Sequence, residues 1–319
     1  MKKIELHLHL EGAAPPAFIR GLAKEKREDL SRLFDEGGGY AYHGFADFLR
    51  VYEGVTGILT TPRDYARLLE EVLLERAEDG VIYSELFVSP DFCGGGDLSA
   101  WRDYLAAMEE VALKLRGQGI DSRAIATVIR HYGAEQSRKA AICAAETSGG
   151  WCSGLGMAGD ENAGAAKDFA WAFDCAREAG LGLTAHAGEW GGPEGIRDVL
   201  ALGVTRIGHG VRAVEDPALM RHLEERAITL ECCPGSNIAL GVYRDWQSHP
   251  VARLLDAGIR VTLSTDDPPF FRTTLRQEYE RLAETFGWHE EDFRRLNLWA
   301  IDAAFCDNDT KTRLQKELS

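Results

Sequence analysis

GLTAHAGEWGGPEGIRDVLALGVTRIGH, residues 182–209, contains one complete strand–helix–strand unit. Residues 182–187 form a short, largely apolar run in which Thr184 and His186 share one face at the two-residue period of a strand. A helix-like segment follows over 193–202 and stops at Gly203, a residue suited to a left-handed helix end. A second short strand, 205–209, closes the unit on His209. Working outward, the same alternation runs along the chain. Strands are expected near 3–9, 81–88, 122–129, 152–157, 182–187, 205–209, 228–233 and 260–265. Helix-like stretches lie at 62–79, 99–117, 163–179, 193–202, 216–226 and 249–257. Three of the last four stop just before a glycine (180, 203, 258), and 216–226 does not. Eight strands alternating with helices predict an α/β fold, a closed (β/α)8 barrel, with an open doubly wound sheet as the rival. The stretch 11–61 is too long for one crossover and predicts extra helices over the barrel mouth, and 272–317 predicts two or three closing helices. One domain over 1–319 is the economical reading.

Charge and composition narrow the function. Thirty-six Lys and Arg against 51 Asp and Glu give a net charge of −15. That surplus argues against a phosphate backbone and against anionic lipid as partners, so neither nucleic acid nor membrane is expected. No segment approaches the ~18 uninterrupted apolar residues of a spanning helix. The seven cysteines are odd in number and none forms C-x-x-C, which suits free thiols in a reducing cytoplasm. A small substrate, neutral or weakly charged, is the partner that fits. The sequence specifies no oligomeric state.

The chemistry-bearing residues gather at strand ends. In the first strand Ile4, Leu6 and Leu8 share one face and Glu5, His7 and His9 the other, with Glu11 following. Burying imidazoles and carboxylates without partners costs several kcal/mol or more. A metal resolves that cost, because His-x-His on a strand aims two nitrogens the same way. His186 and Glu189 follow in TAHAGE, His209 in GHG, and Asp266 and Asp267 in STDDP. All lie at C-terminal strand ends, where barrel enzymes place their sites. His7, His9, His186 and Asp266 make a three-nitrogen, one-oxygen set suited to a single Zn2+ with one position left for water, whose pKa would fall to about 7. Glu189 is placed as a proton shuttle and His209 to support the attacking water. Asp267, beside a metal-bound Asp, is expected to stay ionised and accept a hydrogen bond from substrate. The set favours hydrolysis at an electrophilic carbon.

HLHLEGA, GLGMAGDE, HAGE, GHGVR, CPGSN and STDDP, in that order, resemble the adenosine/adenine deaminase branch of the amidohydrolase superfamily. The likeness spans Lys3 to about Asp302. It implies a (β/α)8 barrel with one zinc ion that replaces the 6-amino group of a purine by oxygen and releases ammonia. It also implies that His7, His9, His186 and Asp266 hold the metal and that Glu189 donates a proton to purine N1. His209 and Asp266 would handle the water, while Asp267 and the Gly159 backbone contact the base, with His9 and Glu11 close to the substrate. The fourth strand has no lysine, so a carbamylated bridge to a second metal is not expected.

Two positions depart from the family pattern. Glu11 stands where adenosine deaminases of the HVHLDG type carry an Asp that contacts ribose, and its longer side chain would crowd or shift a sugar site. Gly156 replaces an Asp common in relatives. Phe270 and Phe271 are candidates for an apolar wall against the base, with ordinary packing as the alternative. His43, His131, His222, His249 and His289 are assigned no role. The H-x-E with P-C-x-x-C pattern of the cytidine-type zinc deaminases is absent. The expectation is a deaminase of a 6-aminopurine, with adenosine as the leading reading. Its alternatives are adenine or a modified adenine nucleoside, and, in a different class, an inactive zinc-binding barrel.

Overall fold

A computed structural model describes residues 1–318. Its first half runs β1 (Lys3–His9), α1 (Pro16–Lys26), α2 (Gly44–Thr56), α3 (Pro62–Glu78), β2 (Val81–Val88), α4 (Leu98–Arg116), β3 (Asp121–Ile129), α5 (Gly133–Ala145) and β4 (Cys152–Ala158). The second half continues with α6 (Ala170–Glu178), β5 (Gly182–Ala187), α7 (Pro193–Leu200), β6 (Arg206–His209), α8 (Pro217–Glu225) and β7 (Thr229–Cys232). It then adds α9 (Pro234–Ala239), α10 (Val251–Asp256), β8 (Arg260–Leu263), α11 (Pro268–Phe271), α12 (Leu275–Phe286), α13 (Glu290–Ala303) and α14 (Asn308–Leu318).

The eight strands are parallel and lie in chain order, each paired with the next. The open sheet is excluded by the seam. Past β8, the His9 N–H donates to the Asp266 carbonyl at 3.0 Å and the Asp266 N–H to the His7 carbonyl at 3.2 Å. Those two bonds join the last strand to the first and close a (β/α)8 barrel. Ile4 and Leu6 face outward into a cluster with Tyr83, Ala300, Ile301 and Leu314, so α13 and α14 seal the wall beside β1.

Local chemistry explains most boundaries. Pro62 opens α3 behind a Thr61–Asp64 capping box, and Thr274 caps α12 through the Gln277 N–H. The missing glycine after 216–226 has a substitute, because Ala227 itself takes a left-handed backbone at φ 51°. Strand eight stops at Leu263, short of the expected 265, because the chain turns into Asp266 at φ 68°. The sequence reading also passed over α5, whose alanine-rich face carries little hydrophobic contrast.

The barrel interior departs from the branched aliphatic filling usual in this fold. Arg206 is fully buried between Glu85 at 2.6 Å and Glu231 at 2.6 Å, and it lies 3.6 Å over the Phe305 ring. Among the described residues all seven cysteines are free, and no helix is long and apolar enough to cross a membrane.

Candidate metal and active site

Four side chains converge at the mouth from the first, fifth and eighth strands. His7 Nε2 lies 3.0 Å from His186 Nε2 and 3.4 Å from Asp266 Oδ1. His9 Nε2 lies 3.2 Å from both His186 Nε2 and Asp266 Oδ1. A tetrahedral ion with ligands at 2.0–2.1 Å has edges of about 3.3–3.4 Å, so these spacings match a four-ligand cage. The tautomers agree. His7 Nδ1–H donates to Glu231 Oε2 at 2.7 Å, and His186 Nδ1–H donates to the Met157 carbonyl at 2.8 Å. Each ring therefore turns an Nε2 lone pair inward, and two lone pairs 3.0 Å apart need a cation between them. The carboxylates around His7 make the same demand for positive charge. Burial opposes its charge, yet hydrogen bonds to Asp266 and Glu231 push its pKa up to about 9. The donor set thus fits one divalent ion. His209 and Asp267 lie at the edges of the cluster, each with a potential ligand atom within 4.8 Å of neighbouring site atoms.

Backbone geometry at the site is forced. His209 sits at φ 60° and Asp266 at φ 68°, left-handed conformations that non-glycine residues adopt only at a cost. Asp266 Oδ2 accepts a 2.7 Å hydrogen bond from Ser236 Oγ at the start of α9.

The catalytic candidates face one cavity of about 620 Å3, mouth included. Its walls include His9, His186, Glu189, His209, Asp266 and Asp267, with Gly159, Phe45, Tyr52 and Leu240 among the others. The extra helices after β1 do cover the mouth, since Phe45, Phe48, Tyr52 and Glu53 of α2 line it. Gly159, at φ 97°, permits a backbone approach that a Cβ would block, 2.7 Å from His131 Nδ1.

Burial first, then the charges of Asp266 and Glu161, push the Glu189 carboxyl well above the usual range. Burial also pulls the His209 imidazole down to about 3. Asp267 lines the same cavity. Burial, followed by the Asp266, Glu189 and Glu11 charges, drives its carboxyl well up, and its Oδ1 has no hydrogen-bond partner among the described residues.

Several expected positions fall outside the cavity. Glu11 does not line it; its carboxylate accepts from the Tyr65 hydroxyl at 3.1 Å and the Tyr52 hydroxyl at 3.3 Å. Phe270 stacks on Tyr40 with ring centres 4.2 Å apart and is ordinary packing. At Gly156 the room for a side chain is taken by Phe87, whose Cε1 would lie 2.6 Å from an added Cβ.

The sequence reading missed four residues that hold the site. Glu231 orients His7. Glu161 accepts four backbone N–H groups, from Gly188 at 2.5 Å, Glu189 at 3.1 Å, Trp190 at 2.8 Å and Gly191 at 3.0 Å, and so fixes the loop that carries Glu189. Asn237 donates to Glu189 Oε1 at 3.0 Å, and the buried His249 touches Asn237 at 3.1 Å. Glu161 and Asn237 end the GDE and CPGSN motifs, which was the available signal. His249 carried none.

Comparison with known proteins agrees with this geometry. The family model described as adenosine deaminase matches residues 2–319. An adenine deaminase from Rhizobium leguminosarum bv. trifolii is 46% identical over 319 residues, covering 100% of this chain and 99% of that protein. The crystal structure of adenine deaminase from Arthrobacter aurescens superposes with a TM-score of 0.91 at 25% identity, covering 99% of this chain and 97% of that one. An amidohydrolase structure from Burkholderia ambifaria with bound zinc has a TM-score of 0.89 at 25% identity, covering 100% and 89%.

Proposed function

The chain belongs to the adenosine deaminase family and is a metal-dependent hydrolytic deaminase; from that premise we propose that its substrate is free adenine, converted to hypoxanthine and ammonia. The relatives at 46% identity carry the name adenine deaminase, which supports adenine and not the adenosine expected from the sequence. The observation that carries the reading is the state of Glu11. Buried and held by two tyrosine hydroxyls, it offers no carboxylate to a ribose. The cavity wall also contains no Lys or Arg, while Glu53 lines it, which disfavours a phosphate.

His7, His9, His186 and Asp266 would hold one ion, which we take to be Zn2+ on its borderline N3O donor set. When bound, it supplies Lewis acidity that activates water at neutral pH. The chain's own groups do the rest. Glu189, kept neutral by burial, gives its proton to N1 of the ring and makes C6 more electrophilic. Asp267 donates from its neutral carboxyl to an acceptor nitrogen of the base, and the Gly159 backbone aligns the ring edge. His209 and Asp266 steer the incoming water. The aromatic side chains of α2 exclude bulk solvent. An inactive barrel would be expected to lack a ligand or the acid, and this chain lacks neither.

Ammonia release from adenine, adenosine, 2′-deoxyadenosine and N6-substituted adenines, measured side by side, tests the assignment. Adenine should give the highest kcat/KM, and a higher value for adenosine overturns it. Glu189→Gln should keep the metal by elemental analysis and lose activity by roughly 10²–10⁴-fold. Unchanged turnover there refutes the proton-donor role.

A further inference from the structure

Behind the cavity wall a short hydrogen-bond chain decides where two protons sit. His249, in the turn before α10, is 2% exposed and bracketed by fixed partners. The Val251 N–H donates to His249 Nδ1 at 3.2 Å, so the proton of the neutral ring lies on Nε2. Burial, with His209 acting in the same direction, keeps that ring neutral by pulling its pKa to about 3. His249 Nε2–H therefore donates to Asn237 Oδ1 at 3.1 Å. This contact leaves the Asn237 amide one orientation, with Nδ2 turned toward the cavity.

Asn237 Nδ2 has two hydrogens and meets two acceptors, Glu189 Oε1 at 3.0 Å and His209 Nδ1 at 3.2 Å. An accepting Nδ1 places the His209 proton on Nε2, the nitrogen 3.9 Å from Asp266 Oδ2. An accepting Oε1 assigns the proton of neutral Glu189 to the other oxygen, Oε2. We propose that His249 is a positioning residue which, through Asn237, sets the tautomer of His209 and selects the Glu189 oxygen that carries the proton.

Two consequences follow for the site. His209 presents an N–H to the incoming oxygen and so acts as a hydrogen-bond donor, not as the base. Glu189 presents an O–H to the ring from a single, defined oxygen. The kinetic consequence rests on the deaminase reading above; the proton placement rests on the hydrogen bonds and on the burial that keeps His249 and Glu189 neutral.

The experiment pairs a spectrum with kinetics. In metal-replete wild-type protein labelled with 15N-histidine, two-bond 15N–1H correlations should show His209 as the Nε2–H tautomer. His249→Phe keeps a ring against Tyr243, whose centroid lies 5.2 Å away, and removes the donor. It should mix the His209 tautomers and lower kcat for adenine about 10–100-fold, the usual range for an outer orienting partner, with KM little changed. His249→Gln retains an N–H donor and should recover most of kcat, which a purely packing role does not predict. An Nδ1–H tautomer of His209 in the wild type overturns the proposal, as does wild-type kcat in His249→Phe. If His249→Phe does not fold, the wild-type spectrum and His249→Gln still decide. Wild-type inactivity on every aminopurine would defeat the deaminase reading and leave the tautomer spectrum to judge this one.

Discussion

Replacing Glu161 by Gln perturbs the loop of the proposed acid without touching substrate or metal ligands. Glu161 Oε1 accepts the Gly188 N–H, and Oε2 accepts those of Glu189, Trp190 and Gly191. A glutamine has one oxygen, so at least one N–H must face an NH2 group. The lost charge-assisted bond is worth about 1.5–3 kcal/mol, and the other three weaken by about 1 kcal/mol each on losing the charge. Easier desolvation of the amide offsets part of that sum, leaving about 3 kcal/mol against local loop order. Free energy of that size corresponds to roughly 100-fold faster hydrogen exchange at the amides of residues 188–191. Exchange resolved by NMR, alongside kcat on adenine, measures it. Both should change together, because the same loop aims the Glu189 carboxyl. Wild-type exchange at 188–191 in Glu161→Gln would show that the four contacts do not hold the loop, and the argument would fail.

Other substitutions probe the layers beneath the site. Glu231→Gln weakens the partner that orients His7 and should lower metal affinity about 10–100-fold, read by competition with a chelator. Equal retention refutes an orienting role. Arg206→Met leaves Glu85 and Glu231 buried without their shared cation and should cost about 3–5 kcal/mol in denaturant titration; a neutral effect would refute a stabilising role for the shared cation. Glu278 is pushed up to about 7 by burial foremost, with Glu5 and Asp266 adding to it and Thr273 and Gly235 opposing. Its unfolded form ionises near the usual value of 4.5, so its contribution is full below that pH and lost as pH rises to about 7. The loss amounts to about 3 kcal/mol, and Glu278→Gln should flatten that part of the stability–pH curve. An unchanged slope would place the titration elsewhere.

The strands and the first candidate ligands were legible because burial writes itself into sequence with a period of two. β1, β2 and β5 fall where the alternation places them, and His7 and His9 announce themselves as polar residues on an inward face. The layer beneath was less legible. Glu231 sits in a short strand otherwise typical of a core, and only the fold reveals Arg206 and His7 on either side of it. His249 lies in a turn where any polar residue is unremarkable, and its meaning depends on contacts with Val251 and Asn237. Glu11 shows the same limit. Its side chain was expected near substrate, but Tyr52 and Tyr65 arrive from helices whose placement no spacing rule could give. Hydrogen bonds between distant segments set protonation states, and such bonds leave no periodic trace.

Asp266 belongs at once to the cylinder's seam and to the ion cage. Its main chain bonds to His7 and His9, and its carboxylate meets the rings of the same two residues. An ion held there would act as a clasp between the two ends of the rolled sheet, bridging residues far apart in the chain. Loading of the cage would therefore reinforce a closure that the main-chain bonds already make. Stripping the ion should loosen this single staves-edge before any other, leaving the remaining seven interfaces as they were.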